Sequence, residues 1–584
     1  MKKFSFGTPE KFVPSFFCKG FRYEETPVSF SEDRFSCRDL GKGFLVEYET
    51  EPGTEIWGFG LQLKHFRHTG TKLTIRNNAD PQTPTGDSHA PVPFFVTNKG
   101  YGIFVDTARY AEFYSGRKKK TSAAEKGGNE ISLSTTELYS AKTALETTYM
   151  SIYIPVAHGV DLYVIEGGTV GDIVAQYNML SGGGCEVPDW GLGVLYRCCG
   201  RYDRHQIQDI IDYFKEKKMP CDTFGLEPGW QTRSYSCSYM WNPQRFPEHE
   251  EFVKSVIDDG YHLNLWQHGF VHPESPIHDA LLPYSGDYRV WDGLVPDFSL
   301  PEARKIYAEH FRRVAVSLGI DGFKIDECDG SDNTDGWSFP NYAEFPSGMD
   351  GEVYHNLFGV LYAQTILETL EGRPTLSEVR SMGALAASYP FVLYSDLYDH
   401  RDFVRGMVNA GLSGLLWAPE VRGCRSRKDM LRRMQTVVFS VHCLVNAWNY
   451  EGIPWVIYDC EEEIRALLEL RRSLVPMLSK AFAKYHETGV PPIRALLMDY
   501  SDDPETYGID DEYLFCEDLL VAPVIGDGSD TREVYLPQGK WVDFFTGEEV
   551  SAGRFTVTTE GIPVYRRVSE PVSEPRDGIM DRGS

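Results

Sequence analysis

The feature that most constrains the chain is a change of hydrophobic pattern near Val187. From there to about Lys480, apolar runs alternate with polar loops and helix-like segments: GLGVLY, DTFGLE, YHLNLWQ, DGFKID, PTLSEV, PFVLYS, LSGLLWA and CLVNAW. Short runs of this kind, each followed by a helix, describe parallel strands with crossover helices. The first helix is plain in RHQIQDIIDYFKEKK, where Ile207, Ile210, Ile211 and Phe214 fall at helical spacing. Eight such units in about 290 residues have the count and size of a (β/α)8 barrel. The predicted fold class is therefore α/β, with the barrel spanning 187–480.

The flanks read differently. Residues 1–186 carry short β-rich runs such as FLVEYET, GYGIFVDT and TTYMSIYIPV, broken by Gly, Pro and Asn, which predicts an N-terminal β-sandwich. Residues 481–568 return to short strands and turns, among them VYLPQGKWVDFFTG, and predict a smaller C-terminal β-sandwich. Residues 569–584 are polar with Pro and Gly and read as a flexible tail.

Charge and motif content narrow the function. With 58 Lys and Arg against 85 Asp and Glu, the net charge is −27, a field that repels phosphate backbones and anionic lipid surfaces. Neither nucleic acid nor a membrane is expected as a partner; a homo-oligomer is left open. The start, MKKFSFGTPEKFVPSFF, has no apolar stretch suited to a signal peptide, and a cytoplasmic location is expected. The twelve cysteines include no CxxC pair, which fits buried, reduced thiols better than disulfides or zinc. No metal and no cofactor is expected.

In a barrel, chemistry sits at the C-terminal ends of the strands. Here those ends are acidic: Glu227 closes the second run, Asp326 with Glu327 and Asp329 the fourth, Asp396 the sixth and Glu420 the seventh. Arg380 follows the fifth, and Trp230, Trp266, His268 and Trp417 supply walls. Carboxylates accept hydrogen bonds from sugar hydroxyls while indole faces cover the ring, so the pattern suits a neutral polyhydroxylated ligand.

These residues carry a resemblance. GFKIDECDG, the interval EVRSMGALAASYPFVLYSD and then HRDFVRGMVNAGLSG resemble glycoside hydrolase family 31, the retaining α-glycosidases. IWGFGLQLKHF and PVPFFVTNKGYGIFVDT resemble that family's N-terminal sandwich, and YLPQGKWVDFFTGE its C-terminal one, so the likeness runs over roughly residues 40–565. The resemblance implies Asp326 as nucleophile, Asp396 as general acid/base, Arg380 holding sugar and nucleophile, and Asp329 orienting the nucleophile. It implies an ionised Asp326 beside Arg380 and an Asp396 kept protonated by its neighbours. It further implies that the loop bearing Asp87 and His89 reaches over the barrel, with Asp87 as a substrate contact.

Several positions depart from the family's α-glucosidases: Glu227 and Glu420 stand where an aspartate is usual, Asn446 where a histidine is usual, and Leu393 where a tryptophan precedes the acid/base. With Trp230, Trp266 and Trp417 they form the expected sugar-contacting set. Longer carboxylates and a lost imidazole displace the hydrogen-bond partners of the outer hydroxyls. The reading leans to an α-galactoside, with α-xyloside, α-glucoside or α-N-acetylgalactosaminide as alternatives. A transglycosylase shares every catalytic residue. An inactive carbohydrate-binding protein is the non-enzymatic alternative, and the presence of both reacting carboxylates argues against it.

Overall fold

The fold is taken from a computed structural model, which describes residues 1–79, 81–117, 148–334, 336–397, 399–526 and 528–568. The proposed tail at 569–584 lies outside these. Among the described residues, no helix is long and apolar enough to cross a membrane. All twelve cysteines are free, and all but Cys37 are buried.

The N-terminal region forms two antiparallel five-stranded sheets. One orders Lys2–Thr8, His158–Glu166, Tyr101–Asp106, Pro91–Thr97 and Ile56–Gly60; the other orders Ser36–Asp39, Gly43–Thr50, Thr148–Pro155, Glu112–Arg117 and Lys72–Thr74. Strand alternation sets what is buried. Met150, Ile152 and Ile154 point into the core between the sheets, where they join Val46, Phe113, Ile103 and Leu162. A helix, Val170–Leu180, follows, started by a reciprocal capping box between Thr169 and Asp172. It ties the sandwich to the barrel: the Tyr177 ring stacks 4.0 Å over Phe94, and the Tyr177 hydroxyl accepts the Leu385 N–H.

In the barrel, seven strands pair in parallel. Cys443–Asn446 lies beside Val194–Arg197, followed by Thr223–Leu226, His262–His268, Gly322–Asp326, Ser377–Val379 and Phe391–Leu393. The seventh predicted strand, LSGLLWA, is not regular. Gly411–Ser413 is a 3-10 turn, and the chain then runs extended with single bridges from Trp417 to Leu393 and from Val421 to Val445. Four backbone hydrogen bonds, Leu393 N–H to Leu416, Ala418 to Leu393, Val421 to Leu444 and Asn446 to Val421, close the ring. Pro419 sits between the two bridges and has no N–H to give a ladder, which explains the break. At the other end of the barrel, buried Arg471 donates to the carbonyls of Leu192, Val438, Ser440 and Val441 and satisfies the chain ends there.

The last barrel helix, Glu461–Thr488, runs past the predicted boundary at 480. Its acidic first turn, Glu461 to Glu463, suits the positive end of the helix dipole, and Gly489 ends it in the left-handed conformation. Beyond it, a six-stranded sheet and a two-stranded ribbon, Thr531–Leu536 with Gly553–Thr558, enclose Leu514, Leu520, Val534, Leu536 and Trp541.

The predicted amphipathic helix is Arg204–Glu216, N-capped by Asp203, with Ile207, Ile210, Ile211 and Phe214 buried. Ile211 is fully enclosed. Ile211→Ala is expected to lower stability by about 2–5 kcal/mol in urea denaturation, whereas Asp209→Ala on the exposed face is expected to change it by less than about 0.5 kcal/mol.

Candidate active site

Parallel register builds the first half of the site. Trp266 and His268 pair with Lys324 and Asp326 on the neighbouring strand, so the two strand ends rise together at the mouth. The Trp266 indole N–H donates to Asp326 Oδ2 at 2.6 Å, and the Glu327 N–H donates to Oδ1 at 2.9 Å. Arg380, one residue beyond its strand, is locked by its own N–H to the Ile325 carbonyl. Its guanidinium reaches three carboxylates: Asp329 through Nε at 3.1 Å, Asp326 through Nη1 at 3.4 Å, and Asp396 through the same Nη1. Because one nitrogen bonds both, the facing oxygens of Asp326 and Asp396 lie no farther apart than two hydrogen bonds end to end. That upper bound is compatible with the roughly 5–5.5 Å of a retaining pair and falls short of the roughly 6.5–9.5 Å of an inverting one.

The two carboxylates differ in surroundings. The Asp326 side chain is 9% exposed, while that of Asp396 is 42% exposed and open to the mouth. Arg422 grips the second oxygen of Asp396 and also pairs with Glu420 at 3.2 Å. Burial pushes the Asp396 carboxyl up, but Arg380 and Arg422, helped by Lys324, overcome it and hold the group well below the usual carboxylate range. This corrects the expectation of a protonated Asp396: without substrate it is an anion clamped between two guanidiniums. Glu327, with a left-handed backbone (φ 54°), is the carboxyl pushed well up instead, by burial and by the neighbouring Asp326.

The floor is a buried ionic lattice. Glu227 lies 3.3 Å from Arg197 Nε and 3.4 Å from Lys324 Nζ; Arg197 also bonds Glu378. Lys324 sits 4.6 Å above the Tyr394 ring. Asn446 donates to Glu420 Oε2 at 3.0 Å. Burial pushes Glu420 up to about 8, only partly offset by Lys324 and the Asn446 amide. Its other oxygen, Oε1, is buried with no hydrogen-bond partner among the described residues.

The aromatic residues divide. Trp266 is buried and bonds Asp326 through its indole N–H, and Trp230 and Trp417 are likewise packed away, with no face offered to a ligand. Trp230 is fully buried, donating to the Trp266 carbonyl with its ring against Trp241; Trp417 donates to the Phe403 carbonyl. Their predicted stacking role is thereby corrected. The ring at the rim is Tyr235, 52% exposed, edge-on to Trp291 at 5.0 Å and 5.5 Å from Trp266. Trp291 occupies the tip of the hairpin Ser285–Val290 to Gly293–Pro296. His268 donates to the Ser234 carbonyl, and burial lowers it to about 4, so its imidazole is neutral.

The sandwich loop does reach the barrel. Asn77 donates to the carbonyls of Cys328 and His355. Asp87 is held by both Arg76 nitrogens at 3.1 and 2.7 Å and by Asn78 at 2.9 Å, so its carboxylate braces the loop. His89 is fully buried between Asp329 and Ser395. Asp399 caps the helix His400–Ala410 and Asp402 pairs with Lys64 and Arg405, so neither stands in for Asp396.

Sequence reasoning missed Arg197, Arg422, Tyr235 and Trp291. Two left a signal: Arg197 closes the first apolar run, and Arg422 follows Glu420 by two residues and so shares its face of an extended segment. Tyr235 and Trp291 lie in loops with no periodic signature.

A closed barrel with a close carboxylate pair at its mouth is an arrangement suited to a retaining glycoside hydrolase. Three family descriptions match the chain: the glycosyl hydrolases family 31 TIM-barrel domain over 185–481, the family 31 C-terminal domain over 489–569, and the family 31 N-terminal galactose mutarotase-like domain over 24–113. The chain belongs to glycoside hydrolase family 31, the retaining α-glycosidases. An Emericella nidulans protein named alpha-xylosidase is 25% identical, covering 92% of this chain and 70% of its own length. Alpha-glucosidase 2 of Bacillus thermoamyloliquefaciens is 26% identical, covering 90% and 69%. Among solved structures, a Flavobacterium johnsoniae dextranase complexed with glucose superposes with TM-score 0.77 at 21% identity, covering 92% of this chain and 68% of that one; this likeness is one of fold.

The floor yields a test of its own. Infrared difference spectra between the wild type and Glu420→Gln are expected to show a carboxylic-acid band that titrates away with a midpoint near pH 8; a carboxylate already present well below neutrality would contradict the reading.

Proposed function

We propose that the chain hydrolyses terminal α-glycosides with Asp326 as nucleophile and Asp396 as acid/base, a reading carried by the single Arg380 guanidinium that both share. The sugar enters with its non-reducing end toward the ionic floor, leaving the rim for the aglycone. Asp326 attacks the anomeric carbon as the bond to the leaving oxygen breaks, and Asp396 delivers a proton to that oxygen. Water then attacks the glycosyl ester, giving its proton to Asp396 and releasing Asp326.

Arg380 links the two steps. While Asp326 is an anion, the guanidinium divides its charge between both carboxylates. Once Asp326 is a neutral ester, the positive charge falls on Asp396 and favours its carboxylate, the form that activates water. Protonation of Asp396 in the first step requires the incoming glycoside to loosen the Arg422 clamp.

For the sugar we place an α-xyloside ahead of an α-galactoside. Glu227, Glu420 and Asn446, which prompted the galactoside reading, are tied to Arg197, Lys324, Arg422 and one another, and such a filled floor suits a sugar without an exocyclic hydroxymethyl. Relatives named alpha-xylosidase support this order. The galactoside remains the second reading because Glu420 Oε1, though buried, has no hydrogen-bond partner among the described residues. Ranking aryl α-xyloside, α-galactoside, α-glucoside and α-N-acetylgalactosaminide by kcat/KM decides; a glucoside or galactoside leading by tenfold would reverse the order.

The roles have separate signatures. Asp326→Ala is expected to abolish turnover of every glycoside. Asp396→Ala is expected to lose about 10²–10⁴-fold on alkyl glycosides, far less on a dinitrophenyl glycoside, and to yield a glycosyl azide with added azide. Removing the Arg422 charge raises the Asp396 pKa, so Arg422→Gln is expected to move the alkaline limb of kcat, which reports the substrate-bound enzyme in which Asp396 carries its proton, upward by about one pH unit or more; an unmoved limb would place the acid elsewhere.

A further inference from the structure

His89 is contributed by the N-terminal sandwich, yet both of its ring nitrogens are used inside the barrel. Nδ1 lies 2.7 Å from Asp329 Oδ2 and Nε2 lies 3.0 Å from Ser395 Oγ, with His89 and Asp329 fully buried and Ser395 nearly so. A carboxylate only accepts, so Nδ1 carries the hydrogen and donates to Asp329, while Nε2 is hydrogen-bonded to the Ser395 hydroxyl. The same Ser395 Oγ accepts the Leu397 N–H at 3.0 Å. The imidazole therefore holds the two residues on either side of Asp396, which follow the strand Phe391–Leu393.

The histidine is itself firmly placed. Ser88 Oγ donates to the Leu61 carbonyl and accepts the Ala90 N–H, and the Leu61 N–H returns to the Ala90 carbonyl. At its other end Asp329 Oδ2 accepts from Arg380 Nε. The order Ser395, His89, Asp329, Arg380 thus forms one chain of hydrogen bonds that connects the backbone beside the acid/base to the guanidinium that binds its carboxylate.

We infer that His89 is a positioning residue for Asp396: the sandwich lends the barrel an imidazole that fixes the acid/base segment at the distance from which it protonates the leaving oxygen. This rests on the assignment of Asp396 as the acid. A displaced acid harms the step that needs its proton and spares the step that does not, and misplacement by about 1 Å costs on the order of 10²-fold.

Three variants test it. His89→Leu removes both bonds, Ser395→Ala cuts only the arm toward Asp396, and His89→Gln keeps one donor and one acceptor. With the preferred sugar, His89→Leu and Ser395→Ala are expected to lose about 10-fold or more in kcat/KM, which reports the first step alone, on an alkyl glycoside and less than about threefold on the dinitrophenyl glycoside. KM is expected to change little, and His89→Gln to recover most of the loss. Equal losses on the two substrates, or a Ser395→Ala enzyme with wild-type rates on both, would overturn the inference. If His89→Leu does not fold, Ser395→Ala and His89→Gln carry the same test. Asp396→Ala, measured beside them, separates the two assignments. If it shows no leaving-group dependence, the acid assignment fails and the inference falls with it; if it shows the dependence and Ser395→Ala does not, the inference about His89 alone fails.

Discussion

The site depends on one buried cation having more anions than it can neutralise. Arg380 faces Asp326, Asp329 and Asp396, and of the three only Asp396 is open to solvent. A buried charge of this kind is tolerable only when its hydrogen-bonding capacity is filled, and the surrounding elements serve that end. The strand ends bring Asp326 and Arg380 into register, the irregular segment at 415–421 brings Arg422 as a second cation, and the sandwich brings His89 to the far side of Asp329. What distinguishes Asp326 from Asp396 is how much of this positive charge each receives and how open each is to the mouth.

The same logic explains the floor. Glu227, Glu378, Arg197 and Lys324 compensate one another within the barrel. Glu420 is paired with Arg422 and bonded by Asn446, yet burial still pushes its carboxyl up. Carboxyl groups and cations are thus matched in number across this floor, and each is held by its neighbours.

Much of this was legible in the sequence, for identifiable reasons. The barrel was legible because apolar runs and helical spacing recur, and the acidic strand ends were legible because a charged residue that closes an apolar run is conspicuous. The seventh strand was misread since LSGLLWA has the composition of a strand while Pro419 just beyond it denies the ladder its N–H. The protonation state of Asp396 was misread because Arg422 is far in sequence from Asp396 and only the closed ring brings it near. Trp230 and Trp417 look like platforms in a string of letters; burial removes them. His89 could be placed on a loop that crosses to the barrel, but its two partners come from segments distant in the chain, and no local pattern announces them.

The irregular seventh segment has a further consequence. Glu420 and Arg422, the floor residue with a free oxygen and the clamp on Asp396, hang on the one part of the barrel wall that is not a continuous ladder. Elsewhere in the wall, a change that shifts the backbone disturbs pairing on both sides. Here two single bridges and four backbone hydrogen bonds do the work of a ladder. A substitution on this seam therefore moves Glu420 or Arg422 at the cost of fewer paired neighbours than one on a regular strand, so the position of these two side chains is the part of the site least tied to the pairing of the barrel.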